Sequence, residues 1–388
     1  MHDPVVIVGA VRTPIGAFLG ALKDAPAPAL GGRAIEAAAS RSGLDNEAID
    51  ECVMGCVLAA GLGQAPARQA ALHAALSDAT PCVTINKMCG SGMKAVMDAH
   101  DRLCAGGARA IVAGGMESMS NAPYLLPRAR TGFRMGHRQA LDHMFLDGLE
   151  DAYEKGRLMG SFAEDCATEY QFTRVMQDGF AATSLERAQR AAREGLFDSE
   201  IVPCESPFLS KDELPSTADA SVIARLRPAF REGGTLTAAN SSAISDGAAA
   251  LALTTASYAE RIGRKPIASI VGHAAHAGPP ARFPTAPVAA IRKLLEKTGW
   301  RAQDVDLFEI NEAFAVVVMA AMRELDLSHE KVNIHGGACA LGHPIGASGA
   351  RIIVTLLAAL ERHDLERGVA ALCIGGGEAT AVAVQRFH

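Results

Sequence analysis

The second half of this chain echoes the first, element for element, and that echo limits the folds open to it. The first half opens on an apolar strand at Val5–Ala10. An Ala-rich helix from Leu30 stops at Gly43, a strand follows at Ile49–Gly55, and a helix runs from Ala67 to Leu76. A short β-prone run, Pro81–Ile85, leads into Asn86-Lys87-Met88-Cys89-Gly90-Ser91-Gly92. A helix over Met93–His100 and a strand over Ala110–Ala113 come next, and the strand ends in Gly114-Gly115. The second half starts again at Ile267–Gly272. Val305–Ile310 matches the strand at Ile49, and Lys331–His335 matches the run before Cys89. Arg351–Leu360 matches the helix after it, and Val369–Cys373 with Gly375-Gly376-Gly377 matches Ala110–Gly115. Strand and helix alternate, so the expected class is α/β in layers. Open α/β sheets present ligands beyond the carboxyl ends of their strands. Cys89, Asn311, His343 and Cys373 each follow a strand, so duplication brings them to one region.

Between the halves the character changes. Residues 116–239 are charged and irregular, carry one amphipathic helix at Phe180–Glu194, and are broken by Pro203, Pro207 and Pro215. This reads as an insertion that covers something. The layered pattern resumes at Thr237–Ser242, and a helix is expected over Asp246–Thr254. The expected division is therefore residues 1–115 with 240–265 as the first half, 116–239 as the insertion and 266–388 as the second half.

Composition removes several function classes. A length of 388 residues suits two or three packed units, and an apolar fraction of 49% supplies a large core. The net charge of -6 offers no basic footprint for nucleic acid. The longest apolar runs, such as Phe314–Met322, fall short of the ~20 residues that span a bilayer. The first strand begins so early that no secretory or transit segment is expected. Nine cysteines, with no Cys-x-x-Cys, suit a reducing cytosol better than a disulfide framework. No metal site is expected: His273 and His276 have no acid or cysteine at partner spacing, and Pro279-Pro280 after them mark a solvated loop. Gly9 and Gly16 do not form the G-x-G-x-x-G of a dinucleotide fold.

The chemistry centres on Cys89. At a strand-to-helix turn, unpaired N–H groups and the helix dipole favour a thiolate, so its pKa is expected to fall. Each candidate has a bland reading. Cys89 alone is a compact hydrophobe, Asn311 alone caps a helix beginning at Glu312, His343 is a loop histidine and Cys373 a buried strand end. Ser91 lacks the G-x-S-x-G elbow of a serine nucleophile.

Four motifs in this order change the balance: Asn86-x-x-Cys89-Gly-Ser-Gly92, Asn311-Glu-Ala-Phe314, Gly342-His-Pro-Ile-Gly346 and Cys373-x-Gly-Gly-Gly377. Together, and with Gly114–Pro123, they make the chain resemble the thiolases along essentially its whole length, and the acetyl-CoA acetyltransferase type in particular. The resemblance implies a duplicated five-layer αβαβα fold with an inserted loop domain, and a homotetramer. It implies that Cys89 is the nucleophile, His343 takes its proton and Cys373 deprotonates a second acetyl-CoA. It further implies that His343 and a water on Asn311 hold the enolate, while the N–H groups of Cys89 and Gly375 form a second hole. Ser242, Met159, Phe230, Phe283, Ala313 and Phe314 are implied to line the pantetheine and acyl channel. Coenzyme A thioesters are substrates here, with no further cofactor. Four places depart from the family pattern: Leu158 stands where His precedes Met159-Gly160, Phe283–Pro287 replaces a Met-Gly-x-Gly-Pro run, Ser216 follows Pro215 where Arg is usual, and His335 stands where Asn is common. The rival readings are a degradative 3-ketoacyl-CoA thiolase for longer chains, a ketoacyl synthase, which pairs its Cys with two histidines, and a non-catalytic lipid carrier on the same fold.

Overall fold

The computed structural model describes residues 3–387. Its main strands are β1 (Val5–Arg12), β2 (Glu51–Gly55), β3 (Cys82–Ile85), β4 (Ala110–Ser118), β5 (Ser245–Thr255), β6 (Ala268–Ala277), β7 (Leu307–Ile310), β8 (Arg367–Ile374) and β9 (Glu378–Arg386). They hydrogen-bond in the order β7-β8-β9-β6-β1-β5-β4-β2-β3, with Gly16–Ala17 added on β5. The order is a mirror about the β1–β6 pair, where Val6 meets Ser269 and Ile7 meets Ala268. On one side β1, β5 and β4 are antiparallel and β4, β2 and β3 parallel. On the other, β6, β9 and β8 are antiparallel and β8 and β7 parallel. The repeat legible in the sequence is thus a repeat of pairing sense as well as of element order.

The main helices are α1 (Ala27–Ser42), α2 (Pro66–His73), α3 (Ser91–Cys104), α4 (Met159–Glu169), α5 (Arg174–Arg193), α6 (Ala286–Thr298), α7 (Ala315–Leu325) and α8 (Ser348–Arg362). Three apolar layers show how they stack. Leu30, Ala34 and Ile35 of α1 pack on Val6, Met54 and Ala250 of the first half-sheet. Met93, Val96, Ile353 and Leu357 of α3 and α8 fill the centre, against Ile7, Ile111, Leu372 and Val382. Ile291, Leu294 and Val318 of α6 and α7 cover Phe308 and Ala381 of the second half. The result is α, β, α, β, α. Each such aliphatic side chain removed from water contributes about 1.5–3 kcal/mol, so the central α3–α8 layer binds the halves firmly.

Three expectations are corrected. Asp246–Thr254 is not a helix but most of β5, whose register runs Ala248 against Met116 on one side and Leu251 against Ala10 on the other. Ala and Leu favour helix, but by less than ~1 kcal/mol per residue. A segment flanked by strands on both edges and buried on both faces gains two hydrogen-bonded ladders, and that outweighs propensity. Lys331–His335 is not a strand. Only Val332 bridges Phe308, while the Asn333 side chain accepts from Ile310 N–H at 2.8 Å and donates to Ile310 O at 2.8 Å. The amide side chain substitutes for the missing ladder. Finally, β4 runs past Gly115 to Ser118, so the insertion expected from residue 116 leaves the sheet later.

Within the insertion, α5 starts earlier than expected, at Arg174, because Thr173 accepts a hydrogen bond from Met176 N–H as an N-cap. The insertion is tied to the sheet by a buried ion cluster. Arg12 of β1 donates to both carboxylate oxygens of Asp212 at 2.7 and 2.8 Å and pairs with Glu200. Removing one partner from such a cluster leaves an uncompensated buried charge.

Candidate active site

Cys89 lies just before α3, in a loop that local bonds fix. Ser91 Oγ accepts from Lys87 N–H at 2.8 Å and donates to Met88 O at 2.6 Å. Its hydroxyl proton is committed to the loop, so Ser91 is a structural residue rather than a rival nucleophile. Met88 holds the left-handed conformation, φ 48°. The starts of α3 and α8 cross at glycine: a methyl group on Gly349 would collide with Met93 N, and one on Gly92 would lie 2.9 Å from Ala350 N. That close crossing seats Ile345, from the His343 loop, in the same small apolar cluster as Cys89.

The expected pKa shift of Cys89 is reversed. Burial pushes the thiol up to about 11, and the N–H groups of Gly375 and of Cys89 itself, both directed at the sulfur, offset only part of that. Cys89 therefore rests as a thiol and needs a base. His343 supplies one. It is buried, and desolvation with the nearby Arg351 charge lowers its pKa to about 3, so the ring is neutral. Its Nδ1 lies 2.6 Å from Ser348 Oγ, and Ser348 donates to Pro344 O at 3.0 Å. With the one hydroxyl proton so used, Nδ1–H is the donor and Nε2 carries the lone pair. Nε2 has no hydrogen-bond partner among the described residues.

Asn311 is not a cap. Helix α7 begins at Ala315, behind Phe314, rather than at Glu312. Both side-chain atoms of Asn311 are buried and unpaired among the described residues, while its backbone N–H bonds Ala371 O at 2.9 Å. A buried amide with four unused hydrogen-bonding positions is poised for a water or a ligand. Cys373, at the end of β8, is buried, and burial followed by the neighbouring Cys89 raises its pKa well above the ordinary thiol value.

The expected channel residues also converge. Met159, Phe230, Phe283, Ala313 and Phe314 share one apolar cluster with Cys373. Phe314 meets Phe230 and Phe283 edge-on, at 5.8 and 6.4 Å between ring centres. Ser242 reaches them through its N–H, 3.0 Å from Ala313 O, and the next residue's carbonyl, Ala243 O, accepts from His343 N–H at 2.9 Å. Next to this cluster a cleft of about 690 Å³ is lined by Met88, Met159 and Gly375, with Asp147, Glu150 and Glu378 also in its wall. His335, by contrast, lies away from the site, between Phe197 and His363.

Two residues of the quoted motifs carry a positioning role the sequence does not announce. Glu117, on β4, accepts from Val57, Leu58 and Gly346 N–H at 3.0, 3.1 and 2.9 Å, pinning the His343 loop to the first half. Burial raises its pKa to about 7. Glu312 accepts from Ser184 Oγ, Asn333 Nδ2 and Cys339 N–H at 2.7, 2.8 and 3.0 Å, fixing the approach to His343. The signal for both is a carboxylate within an otherwise apolar, small-residue stretch.

A partly buried thiol at the start of α3, a neutral imidazole whose Nε2 has no partner among the described residues and a second, buried thiol near the end of β8 define an acyl-transfer site of the thiolase kind. The chain belongs to the thiolase family: residues 5–257 match the thiolase N-terminal domain and residues 264–386 the thiolase C-terminal domain. It is 47% identical over 390 residues to an acetyl-CoA acetyltransferase of Cupriavidus necator, covering 98% of this chain and 99% of that one. It is 48% identical to acetyl-CoA acetyltransferase 2 of Arabidopsis thaliana, covering 98% and 96%. Among solved structures, Acat5 thiolase from Ascaris suum in complex with coenzyme A superposes with a TM-score of 0.95 at 42% identity, covering 99% of this chain and 100% of that one. The Bacillus anthracis acetyl-CoA acetyltransferase gives 0.96 at 40% identity, covering 100% and 99%.

Proposed function

We propose that the protein is an acetyl-CoA C-acetyltransferase, joining two acetyl-CoA molecules reversibly to acetoacetyl-CoA and CoA. The observation that carries this is the meeting of the two cysteine motifs, with Gly375 N–H directed at the Cys89 sulfur and Cys373 beside it. In the first half-reaction His343 Nε2 takes the Cys89 proton as sulfur attacks the thioester. The sulfur–carbonyl bond forms, CoA departs as thiol, and Cys89 is acetylated. Two N–H groups at the Cys89 sulfur suit the tetrahedral oxyanion, each worth roughly 3 kcal/mol. Cys373 gives its proton to the departing CoA sulfur and, now a thiolate, removes a methyl proton from the incoming acetyl-CoA in the second half-reaction; the enolate carbon attacks the acetyl-Cys89 carbonyl, and Cys89 leaves as a thiol that regains its proton from His343 Nε2–H. His343 Nε2 and a water on Asn311 hold the enolate oxygen.

Relatives named acetyl-CoA acetyltransferase over their full length favour this reading over a thiolase for longer chains, as does the aromatic cluster packed against Cys373. Coenzyme A as the carrier is supported by the coenzyme A complex of the Ascaris suum enzyme. We read the assembly as a homotetramer, as the resemblance to the thiolases implies, and Tyr124, Leu126, Phe133 and Met135 are exposed apolar side chains on the 124–142 segment. We place the enzyme in the cytoplasm, since its nine cysteines are all free; no helix among the described residues is long and apolar enough to cross a membrane. The test is Asn311→Ala. It should lower kcat far more than it raises KM for acetyl-CoA, because the charge it helps hold exists only as reaction proceeds. Normal kcat with a raised KM would reduce Asn311 to a binding residue.

A further inference from the structure

Away from Cys89, near the far end of α3, three side chains converge that the function above does not use. Asp101 Oδ1 lies 2.8 Å from His273 Nε2 and 3.1 Å from His100 Nδ1. His273 comes from β6, in the second half of the sheet, so the fold supplies the partners that its sequence neighbourhood lacks. The three ligand atoms lie within 4.8 Å of one another. The two imidazoles meet edge to face, at 5.0 Å between centres and 87° between planes, so their nitrogens point to a common spot instead of stacking. The histidine side chains are 14% and 11% exposed and therefore held, whereas Asp101 at 58% leaves the spot open to solvent. One turn further along α3, Cys104 Sγ is 3.6 Å from His100 Nε2 and 3.9 Å from its Nδ1.

We propose that His100, Asp101 and His273 form a binding site for a borderline divalent cation of the zinc type, with the fourth position open to solvent. Zinc bonds of about 2.0–2.2 Å to nitrogen and oxygen separate tetrahedral ligands by roughly 3.3–3.6 Å, so the two contacts of Asp101 with the imidazoles, at 2.8 and 3.1 Å, need to open by only a few tenths of an ångström. Two imidazole nitrogens with one carboxylate suit zinc over the oxygen-only preference of magnesium or calcium. The Lys297 ammonium, which donates to His273 O at 3.3 Å, is the nearby opposing charge. The site would brace the end of α3 against β6, joining the two halves. Along the ~20 Å of a helix of this length, it stands clear of the catalytic cysteine at the other end.

The experiment is cobalt titration of chelator-treated enzyme, followed by zinc competition and thermal unfolding. One saturable equivalent per chain with the visible bands of tetrahedral cobalt is expected, displaced by zinc, and zinc should raise Tm. His273→Ala and the milder Asp101→Asn should each weaken binding more than about tenfold, the loss typical even of an outer-shell partner, and should abolish the zinc-dependent Tm rise. Turnover without metal should stay at the wild-type level, which shows that both variants fold. No saturable binding, or binding unchanged in Asp101→Asn and His273→Ala because other thiols hold the metal, would overturn the proposal and leave the trio as a hydrogen-bonded clamp.

Discussion

Ser348 sets which nitrogen of His343 carries the proton, and removing its hydroxyl should slow acylation of Cys89. Assigning the hydroxyl proton to Pro344 O, 3.0 Å away, makes Nδ1–H the donor of the 2.6 Å contact to Ser348. In Ser348→Ala that N–H is left unpaired in a buried site, at a cost of about 1–3 kcal/mol. The same amount shifts the ring toward the Nε2–H tautomer, which has no lone pair for the Cys89 proton. At 1.36 kcal/mol per factor of ten, acylation should fall about tenfold to a hundredfold. Ser348 is fully buried at the start of α8, so KM should barely move. The assay is rapid-quench mixing with acetyl-CoA under single-turnover conditions, with the Cys89 peptide read by mass and Tm recorded alongside. An acylation rate within twofold of wild type in the folded variant would refute the tautomer argument. A loss that appears entirely in KM would do the same.

Three further outcomes are expected. Cys373→Ser should still acetylate at Cys89 yet exchange deuterium into the acetyl methyl poorly and make almost no acetoacetyl-CoA, because a hydroxyl is a far weaker base than a thiolate; fast methyl exchange would move the base to another group. Iodoacetamide should label Cys82 at least as readily as Cys89, since hydrogen bonding from Cys52 and the Arg68 charge lower the half-buried Cys82 to about 7, and acetyl-CoA should protect only Cys89; a peptide map with Cys82 unmodified would count against this. His335 is lowered from 6.5 to about 4, first by burial and then by His363 and nearby arginines. A group with a depressed folded pKa that is neutral when deprotonated costs stability as pH falls below its unfolded value, so wild type should lose about 2 kcal/mol more than His335→Asn between pH 7.5 and pH 5; equal losses by urea unfolding would show that His335 does not titrate as placed.

Much of this protein is legible in its sequence because the signals are local. Apolar runs of four to eight residues, glycines at their ends and Ala-rich helical periods announce the alternation of strand and helix. Cys89 and Asn311 just past β3 and β7, and Cys373 near the end of β8, are placed together by the sequence because strand ends in a layered sheet share one rim, whereas the strand expected before His343 does not form. The resemblance to the thiolases rests on the same residues.

What only the tertiary structure decided depends on neighbours distant in the chain. Whether Asp246–Thr254 is strand or helix turns on β1 and β4 offering ladders on both sides, which outweighs the helix preference of alanine. Asn333 replaces a strand by bonding Ile310 through its side chain. Cys89 carries every local feature of a thiolate site, yet burial by the far half outweighs the helix N-terminus and keeps it a thiol until His343 acts. Glu117, Glu312 and Ser348 fix the histidine through bonds that no spacing predicts. Likewise His273 has no acid or cysteine at partner spacing in the sequence and meets His100 and Asp101 only in the folded chain. Electrostatics and hydrogen bonding depend on distance in space, so they are settled when the halves close, whereas periodicity depends on distance along the chain and is written there.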